Sequence, residues 1–126
     1  MVKFLRKILS KNPSQTKKIA KILAKECLKT STKKALVLGL IGDLGGGKTT
    51  FLQGFAKGLG IKERILSPSF VIMKRFRVRE NSCLNSCKFA NFYHIDCYRI
   101  QKPKEILDLG FRKTISNPKN LSLIHI

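Results

Sequence analysis

Residues 42–49 read Gly42-Asp43-Leu44-Gly45-Gly46-Gly47-Lys48-Thr49, a match to the pattern G-x-x-x-x-G-K-[ST]. A loop of this composition curls successive backbone N–H groups around an oxyanion, an approach that larger side chains would block. Lys48 brings a point charge to terminal phosphates, and Thr49 offers a hydroxyl to Mg²⁺. The helix that follows presents its partial positive end to the same anion. The flanks fit. Ala35-Leu-Val-Leu-Gly-Leu-Ile41 is a short apolar run of the kind expected for a parallel strand buried on both faces. After the loop, Phe51, Leu52, Phe55, Ala56 and Leu59 recur at helical spacing, and Gly58 and Gly60 suit a helix end. Strand, loop and helix therefore come in the order that a nucleoside triphosphate cradle requires.

A chain of 126 residues with 43% hydrophobic content can build one core and is too short for two ordinary domains. No apolar stretch approaches bilayer-spanning length, and Met1-Val-Lys-Phe-Leu-Arg-Lys interrupts its hydrophobic residues with charge, so a soluble, intracellular, membrane-free protein is expected. Against 7 acidic residues stand 26 Lys and Arg, for a net charge of +19. Such an excess favours polyanions such as RNA through counterion release. The lysines are nevertheless spread from Lys3 to Lys119, which equally suits a solvated surface.

Asn12-Pro13 reads as a helix start, with Asn as cap and Pro in the first turn. Ile19, Ile22, Leu23 and Cys27 then trace an apolar face opposite Lys17, Lys18, Lys21 and Lys25. Val2 to Leu9 is compatible with an edge strand or a short helix. Ser67-Pro68-Ser69 is a turn, residues 70–78 and 89–98 are strands able to pair as an antiparallel ribbon, and residues 80–88 are a polar loop. Lys102 to Leu109 is a short helix with Gly110 at its end, and Leu121 to Ile126 begins a buried strand. Cys83, Cys87, His94 and Cys97 share one segment. His94 and Cys97 are three apart on a strand-like run, where alternate side chains diverge, so the spacing argues against zinc and His94 reads as structural.

Taken together, residues 42–50, Gln-Gly-Phe-Ala-Lys-Gly-Leu-Gly-Ile (53–61), Ser-Pro-Ser-Phe (67–70), Tyr-His-Ile-Asp-Cys-Tyr-Arg (93–99) and Asp-Leu-Gly-Phe (108–111) resemble the successive signatures of the TsaE family. That family is the small bacterial ATPase of tRNA threonylcarbamoyladenosine biosynthesis. The resemblance implies a three-layer α/β P-loop NTPase fold around a mainly parallel sheet, ATP and Mg²⁺ as ligands, and TsaB and TsaD as partners, with direct tRNA contact left open. By position it implies that Gly42 to Thr50 hold the phosphates, with Lys48 catalytic. Thr49 and Asp96 lie on the metal side, and Asp96 is also close to the attacking water. Ser67 and Ser69 fall in the switch-like segment after the loop helix, where Ser69 stands for a more usual Thr. Asp96 could instead pair with Arg99, and Tyr93 and Tyr98 read as packing residues.

The end of the chain departs from that family. Where it has an apolar strand ending in Glu-Trp, this chain reads Leu121-Ser-Leu-Ile-His-Ile126, so His125 occupies the glutamate's place. A neutral imidazole suits Mg²⁺ poorly, because that ion prefers oxygen. Leu-Ser-Leu-Ile-His-Ile is also what CTG TCT CTT ATA CAC ATC encodes, a sequence matching a transposon end used in preparing sequencing libraries. The expectation is that residues 121–126 are translated adapter, that the gene runs on, and that the fold is incomplete at this end. Two other functions stay open: a small-molecule P-loop kinase, for which Arg75, Arg77 and Arg79 form the only arginine cluster, and a non-catalytic basic RNA-binding protein.

Overall fold

The computed structural model describes residues 6–29, 35–42, 47–63, 73–78, 89–97 and 102–125. Residues 6–10 are exposed and belong to no helix or strand. Helix α1 (Pro13–Lys29) starts where the sequence places it. Asn12 Oδ1 accepts the Gln15 N–H at 2.9 Å, and Gln15 Oε1 accepts the Lys11 N–H at 2.8 Å, which satisfies donors that a helix start leaves unpaired. Strand β1 (Leu36–Leu40) leads to helix α2 (Lys48–Gly58), and strands β2 (Met73–Arg77) and β3 (Asn91–Asp96) follow. Helices α3 (Pro103–Leu107) and α4 (Phe111–Ser116) precede strand β4 (Asn120–His125).

The sheet order is β1-β4-β3-β2. β4 pairs in parallel with β1 and β3, while β2 and β3 form the expected antiparallel ribbon. Helix α2 lies on the crossover from β1 toward β3, and α3 with α4 on the return from β3 to β4. Right-handed crossovers running in opposite directions put their helices on opposite faces, which yields three layers.

One face carries the main core. Leu121 and Leu123 of β4, Phe92 of β3 and Phe76 of β2 are buried there, with Leu36, Leu38 and Leu40 of β1 packed against them. Phe55 joins α2 to this face, its ring 5.8 Å from that of Phe92 and 6.1 Å from that of Phe51. The expectation that β1 is buried on both faces is corrected: its burial alternates and Val37 is 42% exposed. β1 is the edge strand of the described sheet, so alternation replaces the continuous burial of a central parallel strand. The central place goes to β4. Its Leu121 and Leu123, from the segment matching adapter sequence, are fully buried.

Helix α1 buries a different stripe from the one its large residues suggest. Ala20, Ala24, Cys27 and Leu28 are buried, whereas Ile22 is 58% and Leu23 40% exposed. The cause lies in α2. A Cβ at Gly54 would stand 2.6 Å from Lys17 Cα, and one at Gly58 would stand 2.7 Å from both Ala24 Cβ and Lys21 O. Small residues on both helices bring the two main chains together, so the alanine stripe turns inward. Helix α2 then ends at a left-handed Gly60 (φ 76°), with Gly60 N–H donating to Lys57 O at 3.0 Å and Ile61 N–H to Ala56 O at 3.1 Å.

The expected helix over 102–109 is shorter, and Gly110 (φ 77°) starts α4 rather than only ending α3. Asn120 ties α4 to the sheet: its Nδ2 donates to Thr114 O at 3.0 Å, and its Oδ1 accepts Asn91 Nδ2 at 3.0 Å. Among the described residues no helix is long and apolar enough to cross a membrane.

In a solvated helix Gly→Ala adds about 0.5–1 kcal/mol of stability. Here Gly54→Ala is expected to lose about 1–3 kcal/mol, because the new methyl meets backbone that cannot swing aside. Urea denaturation of the variant gives the sign, and a raised midpoint would show that the helices do not touch as described.

Candidate functional site

Parallel pairing sends the carboxyl ends of β1, β4 and β3 to one edge, the place where open α/β sheets bind ligands. At the end of β1, Gly42 is followed by the loop whose residues Asp43, Leu44, Gly45 and Gly46 lie outside the described residues. The chain is described again at Gly47, the residue before α2, with φ 86° and ψ 11°. This left-handed conformation is the physical requirement for glycine there. Gly47 O accepts the Phe51 N–H at 2.9 Å, but no side chain caps α2. The N–H groups of Lys48, Thr49 and Thr50 belong to a first turn that no intrahelical carbonyl can satisfy, which suits an anion.

The Lys48 side chain turns back toward the end of β1, and its Nζ donates to Gly42 O at 2.6 Å. The ammonium is thereby held over the end of β1 beside the first turn of α2. Space alone does not dictate glycine at position 42, since a Cβ there would make ordinary contact with Lys48 at 3.8 Å. The Thr49 side chain is exposed and Thr50 half-buried.

Asp96 ends β3 directly opposite His125 on β4, and His125 is opposite Leu40 on β1. The structure therefore brings Lys48, Asp96 and His125 to one edge, close enough for the charges of Lys48 and Asp96 to act on His125. Residues 92, 94 and 96 share a face of β3, so Tyr93 points to the other side, as a packing residue would. Ser67, Ser69, Tyr98, Arg99, Cys83 and Cys87 lie outside the described residues, as does Arg79. Cys97 follows β3 directly, and burial, then Asp96, raises its thiol pKa.

Sequence reading did not foresee the pairing of the two histidines. The rings of His94 and His125 meet edge to face, 4.8 Å apart, as a diagonal pair across β3 and β4. Only the strand order reveals this contact, because 31 residues separate the two in sequence. His94 is buried, and the Nε2 atoms of both rings are buried without a hydrogen-bond partner. Burial, then His125, pushes the His94 pKa down to about 4 against the pull of Asp96. Burial also lowers that of His125, with Asp96 opposing and Lys48 reinforcing the shift.

These elements define the class: an α/β protein with the P-loop NTPase fold, its phosphate-loop lysine and helix facing a strand-end aspartate. The family described as "Threonylcarbamoyl adenosine biosynthesis protein TsaE" matches residues 10–125, and the chain belongs to it. It is 42% identical over 99 residues to the tRNA threonylcarbamoyladenosine biosynthesis protein TsaE of Bacillus subtilis, covering 79% of this chain and 52% of that protein. To the TsaE of Rickettsia felis it is 36% identical over 120 residues, covering 93% and 60%. The crystal structure of Bacillus subtilis YdiB superposes with a TM-score of 0.54 at 34% identity, covering 92% of this chain and 60% of that one. The chain thus spans about half to three-fifths of these relatives.

The fold favours neutral His94, since its pKa lies below the ordinary 6.5. Its contribution is complete above pH 6.5 and is lost as pH falls toward about 4, an effect on the order of 2–3 kcal/mol. Urea midpoints are expected to drop between about pH 7.5 and pH 5 in the parent and to drop less in His94→Leu. Parallel pH dependences in the two proteins would contradict this assignment.

Proposed function

We propose that this chain is the ATP-binding and Mg²⁺-dependent ATP-hydrolysing component of the bacterial, cytoplasmic machinery that makes tRNA threonylcarbamoyladenosine, acting with TsaB and TsaD. The observation that carries the reading is the convergence of Lys48, clamped to Gly42 O at 2.6 Å, with the uncapped first turn of α2 and with Asp96 at the end of β3. Membership of the TsaE family supports the pathway.

In this reading the main-chain amides of α2's first turn bind the phosphates, and Lys48 neutralises charge that builds on the terminal phosphoryl oxygens. Thr49 and Asp96 offer the hard oxygen donors that Mg²⁺ prefers, whereas the imidazole of His125 does not fit that ion. Mg²⁺ held by Thr49 and Asp96 would supply positive charge against that of the phosphates. Asp96 orients the attacking water from the strand edge, and Ser67 and Ser69 belong to the segment that responds to the terminal phosphate. Energy from cleavage is delivered to the TsaB and TsaD pair rather than used to transfer a group to this chain.

The small-molecule kinase reading is weaker. Arg75 and Arg77 lie on β2, at the opposite edge of the sheet from β1 and its loop. A kinase would need such arginines over the phosphates.

Lys48→Ala is expected to weaken ATP binding at least about tenfold by titration calorimetry with Mg²⁺, and to abolish tRNA modification in a reconstituted TsaB–TsaD reaction. Asp96→Asn is expected to keep ATP binding while lowering hydrolysis about a hundredfold. His125→Glu, which restores an oxygen ligand, is expected to strengthen the Mg²⁺ dependence of binding. No ATP binding by the parent chain in the presence of Mg²⁺ would remove the proposal.

A further inference from the structure

A second surface, formed by the same helix pair, is unused by the phosphate site. Helix α1 carries five lysines, Lys17, Lys18, Lys21, Lys25 and Lys29, against the single acid Glu26. Glu26 pairs with Lys29 at 3.5 Å, and Lys17, Lys21 and Lys25 form an i,i+4 row. The helical rise spaces such residues about 6 Å apart along the axis, close to the separation of successive phosphates in a nucleic-acid strand. Lys21 and Lys25 are exposed, and Lys17 turns into a groove between the helices. Lys57 and Lys62 line the same groove over a floor of Ala56 and Ile61, with Glu63 at its rim.

The close approach at Gly54 and Gly58 makes this possible. Gly54 and Gly58 bring α2 against the backbone of Lys17 and Lys21, so the α1 row starts beside the end of α2, where Lys17 shares one groove with Lys57 and Lys62. The groove lies toward the C-terminal half of α2. Lys57 is about 14 Å along the helix axis from Lys48.

We propose that the Lys17, Lys21, Lys25, Lys57 and Lys62 seam binds the phosphodiester backbone of RNA. Charge complementarity selects this partner: the seam is cationic on a chain of net charge +19, and its floor is aliphatic. Among the described residues no aromatic side chain that would stack unpaired bases lines the groove, so recognition is of backbone and shape rather than of sequence. The inference does not depend on ATP binding by the Lys48 site.

The experiment measures binding of an unmodified tRNA transcript by fluorescence anisotropy over a salt series, without nucleotide. Replacing Lys17, Lys21, Lys57 and Lys62 by Gln is expected to weaken binding about tenfold or more and to reduce the salt slope by about three. Replacing Lys102, Lys104, Lys113 and Lys119 by Gln removes equal charge elsewhere and is expected to cost less than about threefold. Lys48→Ala is expected to bind tRNA as the parent does, which separates this result from the fate of the ATPase reading. Circular dichroism checks folding. Lysine acetylation of the unmutated chain, read by mass spectrometry, is a second measurement, with tRNA expected to protect the seam lysines over the control four. Equal losses in both variants, equal protection of both sets, or seam protection by TsaB and TsaD but not by tRNA would overturn the proposal.

Discussion

The parallel pairing of β4 with both neighbours is the constraint on which the site depends. In that register Leu121 and Leu123 face the core beside Leu36, Leu38 and Phe92, and the same alternation places His125 between Leu40 and Asp96. A slip by one residue would turn both leucines away from α2 and would separate Asp96 from its opposite number. Core packing and site assembly are therefore set by one choice. Phe55 reinforces it from above, since its ring bears on Phe92 while its helix carries Lys48 at the other end.

Local chemistry made part of this legible. The glycine-rich loop and its lysine are consecutive, and the left-handed Gly47 is what such a loop demands. Asn12 works as a helix cap because capping involves only the next three residues. The antiparallel ribbon followed from two apolar runs joined by a polar segment. Properties that belong to pairs of distant elements were not legible. The apolar residues of α1 suggested an Ile and Leu face, yet two glycines on another helix decided that Ala20 and Ala24 point inward. β1 reads as a central strand until β4 is found in the central place. Helix α4 is a single short segment whose start depends on Gly110, a residue that reads equally well as a stop.

Two histidines occupy the place where charge matters most. Their edge-to-face contact across β3 and β4 puts nearly dry imidazole beside Asp96, and the fold keeps that of His94 uncharged. His94 thus has a position that its burial alone would not suggest: it shares a face of β3 with Asp96 and meets the ring of His125 from the next strand.

The close approach of α1 and α2 at Gly54 and Gly58 has a mechanical meaning. At Gly54 main chain rests on main chain, and backbone atoms cannot change rotamer to absorb a tilt there. A tilt of α2 would therefore press directly on the α1 backbone at Lys17 and Lys21.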